Sequence, residues 1–426
     1  MTGVTKAAST RRVLVASLVG TSVEFYDFYV YATAASLVFG GLFFSAAPQS
    51  IQQLASFATL GVAFIARPVG SVFFGHFGDR IGRKSTLVAS LLTMGLSTLL
   101  VGFLPTYAQA GWWAPLILCI LRFGQGFGLG GEWGGAALLA VENAPPGWRA
   151  RFGAVPQLGA PVGFIMANSL YLLLGLWLSP DDFKAWGWRI PFLLSAVLVL
   201  VGLWIRLKLT ETRQFAEALE HAPPPRVPIG ALLANHAGPL VGGTLGTIAC
   251  FVLYYLATAF ALGYGTKSLG YTMNQFLLVQ LGAICMMAIT IALSGWAADR
   301  HWDERRVLAG GCVVAIATGF LIQPLMGSGS LLLVFLFLSL CMFAMGFCYG
   351  PLGGWLPSLF PPLVRYTGVS AAFNLASILG GGLTPIAAQW LATRHGLAPV
   401  GFYCSGLATV SLVALLAMGR GRAAAR

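Results

Sequence analysis

Apolar runs of roughly 20 residues recur along almost the whole chain of 426 residues, and that is about the length of a helix that spans a bilayer. A segment in hydrocarbon must satisfy its own backbone groups, so runs of this length leave helices as the spanning element. Only 9% of residues are Asp, Glu, Lys or Arg and 57% are hydrophobic. A soluble domain carries about 25% charged residues, which excludes an ordinary soluble enzyme.

Breaks at charges, prolines and glycines divide the chain into twelve predicted spans, near 13–40, 52–77, 85–104, 114–141, 152–178, 188–208, 237–263, 274–298, 307–327, 330–352, 367–392 and 398–419. The first run is too long, and too polar in its middle, for a cleavable signal. The charged stretch 209–228, which contains Pro223-Pro224-Pro225, reads as a linker between a bundle at 1–208 and a bundle at 229–426. Basic residues orient the array. Lys184, Arg189, Lys267 and Arg394 fall on one side and Arg67 and Arg122 within spans, while all other Lys and Arg fall on the opposite side. The positive-inside rule then puts both termini and the linker in the cytoplasm.

The net charge of +12 does not indicate nucleic-acid binding, because the basic residues lie between apolar runs and form no soluble face. The seven cysteines all lie in apolar stretches, with no CxxC and no histidine at ligand spacing, so neither disulfides nor a metal are expected. No catalytic triad or nucleotide motif is present. The glycines of span 4 (Gly124, Gly126, Gly128, Gly130, Gly131) allow close helix approach, and no Lys-Ser/Thr follows them as in a phosphate loop.

Spans six apart echo one another. Gly75-His76-Phe77-Gly78-Asp79-Arg80-Ile81-Gly82-Arg83-Lys84 follows span 2, and Gly295-Trp296-Ala297-Ala298-Asp299-Arg300 follows span 8. Spans 5 and 11 begin with Arg151-Phe152 and Arg365-Tyr366 and carry the amides Gln157 and Asn374. Such repeats characterise many secondary transporters.

The stretch after span 2 resembles the signature loop of the major facilitator superfamily. More narrowly, Glu24-Phe25-Tyr26-Asp27-Phe28, Arg122-Phe123-Gly124-Gln125-Gly126-Phe127, Gly130-Gly131-Glu132-Trp133-Gly134-Gly135 and Trp186-Gly187-Trp188-Arg189-Ile190-Pro191-Phe192 resemble bacterial metabolite:proton symporters. Gly111-Trp112-Trp113-Ala114-Pro115 and Thr258-Ala259-Phe260-Ala261-Leu262 are similar to shikimate permeases. The resemblance implies an all-α membrane protein of twelve helices in two pseudo-symmetric six-helix bundles, acting as a monomer by alternating access. The second loop lacks its final glycine (His301-Trp302-Asp303-Glu304), Ser358 stands where the family usually has an acid, and span 10 has no histidine where shikimate permeases would place one.

Five charges fall within spans: Glu24, Asp27 and Glu132 against Arg67 and Arg122. Each costs about 2.5–3.5 kcal/mol or more at mid-membrane, so each is a functional candidate. At about 1.5 Å per residue, Asp27 and Arg122 reach a similar height, which predicts an ion pair, and Arg67 and Glu132 a second one nearer the cytoplasm. Three acids against two arginines leave one negative charge, so one acid is expected to carry a proton when the site is dry. Asp27, Glu24 and Glu132 are therefore the proton-coupling candidates, with Arg122 released to bind a substrate carboxylate. Arg67, Tyr26, Tyr29, Trp133, Gln157, Tyr255, Trp355 and Asn374 complete the expected substrate contacts. Asp79, Arg80, Arg83, Glu142, Arg149, Arg151, Asp299 and Arg365 form the inner gate that the resemblance implies.

The reading is proton-coupled symport of a small organic acid (shikimate-like, aromatic, or di- or tricarboxylic), with the proton as coupling ion and no other cofactor. Uptake of a zwitterionic osmolyte such as proline or betaine is the alternative within transport, and a non-transporting sensor or scaffold is the alternative outside it. The topology has a direct check. In right-side-out vesicles, an impermeant thiol reagent should label a single cysteine placed at Gly111 and leave one placed at Ala222 unlabelled. Labelling at Ala222 would overturn the orientation.

Overall fold

The structure, a computed structural model, describes residues 2–81, 83–130, 132–208, 228–361 and 364–423. Side chains at 2–13, 50, 75–87, 205–229, 231 and 419–423 fall outside that description, as does the expected linker apart from Pro228. Among the described residues, helices corresponding to the twelve expected spans follow one another. They are α1 (Thr2–Ala34), α2 (Gln49–Ile81), α3 (Arg83–Val101), α4 (Trp113–Leu129, then Glu132–Glu142), α5 (Arg149–Gln157, then Gly159–Trp177) and α6 (Ile190–Lys208). The second set is α7 (Ala237–Tyr255), α8 (Met273–Arg300), α9 (Glu304–Phe320), α10 (Leu331–Tyr349, then Leu352–Ser358), α11 (Arg365–Ala376) and α12 (Leu397–Ala423). Among the described residues, nine helices are long and apolar enough to cross a membrane. The helices alternate in direction, so both chain ends lie at one face, the base; the opposite face is the top.

Each set closes on itself. In the first, α4 packs on α2 and α3, and α1 packs on α5 and α6; in the second, α10 packs on α8 and α9, and α12 on α7 and α9. The two sets meet along a seam where α5 lies against α8 and α2 against α11. These pairs exchange under the six-span repeat, since α2 corresponds to α8 and α5 to α11, so the seam has the self-complementary form of a two-fold interface.

Several helices break or widen at the seam. Single π turns follow α1 (Ala35–Phe39), α7 (Leu256–Phe260) and α11 (Ser377–Gly382), each continuing as helix beyond. A π turn displaces one backbone group from the regular ladder and is common at functional sites. Apolar periodicity shows no trace of them, because the residues on both sides remain uniformly apolar.

Packing between α2 and α4 depends on the absence of side chains at two glycines. A Cβ on Gly126 would strike the backbone of Ala63, and one on Gly70 would strike the backbone of Phe127. Backbone cannot give way as a side-chain tip can, and overpacking costs about 1–3 kcal/mol. Gly126→Ala should therefore lower the detergent-solubilised unfolding temperature by several degrees. Gly310→Ala on α9, where nothing lies within 4 Å of the added carbon, should not lower it.

Candidate functional site

At the centre of the seam a single phenyl ring lies beside two buried arginines. The Arg67 guanidinium of α2 lies 4.8 Å from the Phe28 ring centroid, and the Arg122 guanidinium of α4 lies 4.3 Å from it. Each arginine has a second ring: Phe64 at 4.8 Å for Arg67 and Tyr31 at 4.0 Å for Arg122. A desolvated cation–π contact is worth about 2 kcal/mol, so two per guanidinium offset the about 2.5–3.5 kcal/mol cost of the charge in the membrane. Aromatic packing thus stabilises both arginines at the seam.

The rings form a continuous wall across the seam. Phe28 meets Phe64 at 5.3 Å and Tyr255 of α7 at 6.0 Å, while Tyr29 stacks on Tyr254 at 5.2 Å. Nearer the base, Trp133 stacks on Phe373 of α11 with centroids 3.7 Å apart and planes 4° from parallel. Its indole N–H donates to Gln157 Oε1 at 3.0 Å. The Asn374 amide donates to the Gly130 carbonyl at 2.8 Å, satisfying a backbone group at the break in α4.

The acids take partners other than the expected arginines. Asp27 Oδ2 accepts from Thr98 Oγ1 at 3.3 Å. Thr98 Oγ1 accepts from Gln125 Nε2 at 2.7 Å, and Gln125 Oε1 accepts from Arg122 Nη1 at 2.9 Å. The predicted Asp27–Arg122 ion pair is thus replaced by a bridge of two neutral side chains. Gln125, one helical turn from Arg122 on the same face of α4, takes the end of the guanidinium, and Thr98 of α3 stands between it and the carboxylate. The predicted Arg67–Glu132 pair is also replaced. Glu132 accepts from Ser90 of α3, whereas Arg67 faces the aromatic rings with Glu24 as the acid within electrostatic reach. Glu132 in turn lies within electrostatic reach of Asp27.

Two expected substrate contacts face elsewhere. The Tyr26 hydroxyl donates to the Pro191 carbonyl at 2.9 Å, tying α1 to α6 inside the first bundle. Trp355 packs close to Gly246 of α7, within the second bundle. Helix rotation decided both, and an aromatic residue in an apolar span does not reveal its facing. What remains at the centre is rich in donors. Among the described residues, Arg67 Nε, Arg122 Nε and Nη2 and Gln157 Nε2 are buried without a hydrogen-bond partner. Such groups cost about 1–3 kcal/mol each, more when charged, and a bound anion would relieve them.

At the base, Asp299 at the end of α8 caps the start of α5. It accepts from the Ala150 N–H at 2.8 Å, the Arg151 N–H at 3.0 Å and Arg151 Nε at 2.9 Å. Arg151 also lies 3.8 Å over Trp148. Of the expected gate residues, Glu142 is exposed on its own side of the seam, while Asp299 reaches across it to Arg151. Arg149 is half-buried near Glu304, and Arg365 donates to the Phe360 carbonyl at 3.1 Å, within its own bundle. The side chains of Asp79, Arg80 and Arg83 lie outside the described residues.

The top closes through contacts that a search for charges overlooks. Ser36, in the π turn after α1, donates to the Ala259 carbonyl in the π turn after α7 at 3.0 Å. Ser56 of α2 donates to the Ala35 carbonyl at 2.7 Å, and Gln280 of α8 donates to the Ala257 and Thr258 carbonyls at 2.9 Å each. Amides and hydroxyls within apolar runs were the available signal.

Residues 17–385 match the model of the Major Facilitator Superfamily. An inner membrane metabolite transport protein of Escherichia coli K12, YhjE, is 47% identical, covering 96% of this chain and 94% of its own. The shikimate transporter of the same organism is 37% identical, over 92% of this chain and 90% of its own. Among solved structures, the proton:xylose symporter XylE superposes with a TM-score of 0.77 at 18% identity, covering 97% of this chain and 96% of that one.

The Asp299 clamp can be tested. Charge-assisted hydrogen bonds contribute about 1.5–3 kcal/mol each, and 1.4 kcal/mol is tenfold in an equilibrium. Asp299→Asn should raise the thiol-labelling rate of a cysteine at Ala154, buried beside Gly295 of α8, by at least about tenfold. An unchanged rate would show that the clamp does not hold the base shut.

Proposed function

The chain belongs to the Major Facilitator Superfamily, a family of membrane transporters, and on that premise we propose that it carries a small organic acid by proton-coupled symport across a bacterial inner membrane. One observation supports this above the others: two arginines buried at the seam, both beside the Phe28 ring, carry N–H groups without a hydrogen-bond partner among the described residues. Guanidinium N–H groups form a planar fork that matches a carboxylate, and a buried fork with free donors gains most from an anion. The surrounding rings of Phe28, Phe64, Tyr255 and Tyr29 suit a cyclic or aromatic skeleton.

In this reading Asp27 is the proton carrier. It is buried, one of its oxygens lacks a partner among the described residues, and it is linked to Arg122 through Gln125 and Thr98. A proton on Asp27 removes the negative charge at the far end of that link and leaves Arg122 to a substrate carboxylate. Release of substrate and proton on the other side restores the starting arrangement. The described acids in the second bundle, Asp299, Asp303 and Glu304, lie at its base, so the proton is handled in the first bundle. A quaternary ammonium would meet two cations here and no described carboxylate in direct contact with them, which disfavours the osmolyte reading.

Uptake into proteoliposomes with an imposed pH gradient tests both halves of the proposal. The panel is shikimate, benzoate, succinate, citrate, proline and betaine. One or more of the acids should accumulate, and its amide should compete at least about a hundred times more weakly, in keeping with the about 3–5 kcal/mol lost when a buried charge goes unpaired. Arg122→Lys should be nearly inactive, and Asp27→Asn should keep exchange while losing uphill accumulation. Equal competition by acid and amide would place the substrate away from Arg122. Uphill accumulation retained in Asp27→Asn would move the proton to Glu24 or Glu132.

A further inference from the structure

We infer that Thr98 and Gln125 are positioning residues through which the protonation state of Asp27 is transmitted to Arg122. The inference rests on the reading of Asp27 as proton carrier and of Arg122 as substrate ligand. The polarity of the chain is set by its ends, since a guanidinium can only donate and an ionised carboxylate can only accept. The Gln125 amide must therefore turn its oxygen to Arg122 (2.9 Å) and its nitrogen to Thr98 (2.7 Å), leaving the Thr98 hydroxyl proton for Asp27 (3.3 Å). All four side chains are buried, and aligned hydrogen bonds in a low-dielectric interior polarise one another.

Thr98 has a second acceptor, and this makes the chain responsive. Its Oγ1 lies 3.0 Å from the Met94 carbonyl, one turn back along α3. The hydroxyl has one proton and two places to direct it. An ionised Asp27 draws the proton, because a charged acceptor binds about twice as strongly as a neutral one. Once Asp27 takes a proton on its unpartnered Oδ1, that advantage is lost and the Thr98 hydroxyl turns to Met94. Gln125 then loses its polarised partner, and its hold on Arg122 weakens. Rotation of one hydroxyl thereby converts a proton at Asp27 into a looser guanidinium, with no direct contact between the two charges.

Among the described residues, Glu132 on α4 and Tyr26 on α1 are the other titratable groups within electrostatic reach of Asp27. Arg189, at the top of α6, gives its N–H groups to the Gly102 and Leu104 carbonyls, away from this chain. Arg151 at the base of α5 is held by Asp299. Through-space attraction between Arg122 and Asp27 is the competing explanation, and it would not require Gln125 or Thr98.

A double-mutant cycle on the substrate-free protein in lipid separates the two. The Asp27 carboxyl band in infrared difference spectra is identified by its loss in Asp27→Asn and titrated between about pH 4 and pH 10. Arg122→Met should displace the midpoint by at least about threefold in proton concentration. The same displacement should appear in the Thr98→Ser background, which keeps the hydroxyl. It should fall to less than half its size, in pH units, in Gln125→Leu and in the near-isosteric Thr98→Val, and the latter serves if Gln125→Leu does not fold. An undiminished displacement in the Gln125→Leu or Thr98→Val background, none in any background, or a band that does not titrate would each overturn the inference. Because no substrate is used, failure of the uptake experiments would leave this result standing.

Discussion

Two guanidinium groups held against one phenyl ring are the interaction on which the centre of this protein depends. Arg67 and Arg122 both use Phe28, and each adds a ring of its own, Phe64 and Tyr31. A carboxylate partner would bind either arginine more tightly, but it would also occupy the donors. A π face offsets the burial of the charge while leaving N–H groups unused, and that is what a site for an anionic ligand needs. The arrangement also explains why Phe28, Phe64 and Tyr255 pack edge to face across the seam: the rings that hold the cations also join the two bundles.

Irregular helix geometry then positions the polar groups. The π turns after α1 and α7 lie at the seam, and side chains from neighbouring helices bond to their carbonyls, Ser56 to Ala35 and Gln280 to Ala257 and Thr258, while Asn374 bonds to the Gly130 carbonyl of α4. Ala35 and Ala257 follow the repeat, with α2 serving the turn after α1 and α8 serving the turn after α7. Each bundle thus stabilises its own irregular turn, and the two turns meet through Ser36 and the Ala259 carbonyl. An unsatisfied carbonyl in hydrocarbon costs several kcal/mol, so these side chains are constrained by the backbone irregularity they serve.

The twelve spans were legible because apolar length is a one-dimensional property, and the five intramembrane charges because each is too costly to place idly. Their partners were not legible. Helical rise put Asp27 and Arg122 at one height, but it says nothing of what lies between them. Gln125 and Thr98, polar yet uncharged, do not stand out against an apolar background in a search for ion pairs. Facing was the second loss: Tyr26 and Tyr29 are three residues apart on α1, yet the first bonds to Pro191 inside its bundle and the second stacks on Tyr254 across the seam. At the base, the echo between the loops after α2 and α8 drew attention to Asp299. Its role as a cap on α5 is a tertiary fact that no local pattern contains.

The two ends of the seam are closed by bonds of different strength. At the base, one carboxylate takes two backbone N–H groups and the Arg151 side chain, all at 2.8–3.0 Å. At the top, the described hydrogen bonds across the seam run from the Ser36 hydroxyl to the Ala259 carbonyl, from the Asn274 amide to the Gly175 carbonyl, and from Lys267 to the neutral amide of Gln53. Hydrogen bonds to ionised groups contribute about 1.5–3 kcal/mol and neutral ones about 0.5–1.5 kcal/mol. Parting the seam at the base breaks three charge-assisted bonds and strands a carboxylate, whereas the described bonds at the top are two neutral ones and one from a lysine. The bias can be reversed only by something that strengthens the top or loosens the base. A ligand bound between Arg122 on α4 and the rings of α7 would do the first, by drawing the bundles together on the top side of the Asp299 clamp.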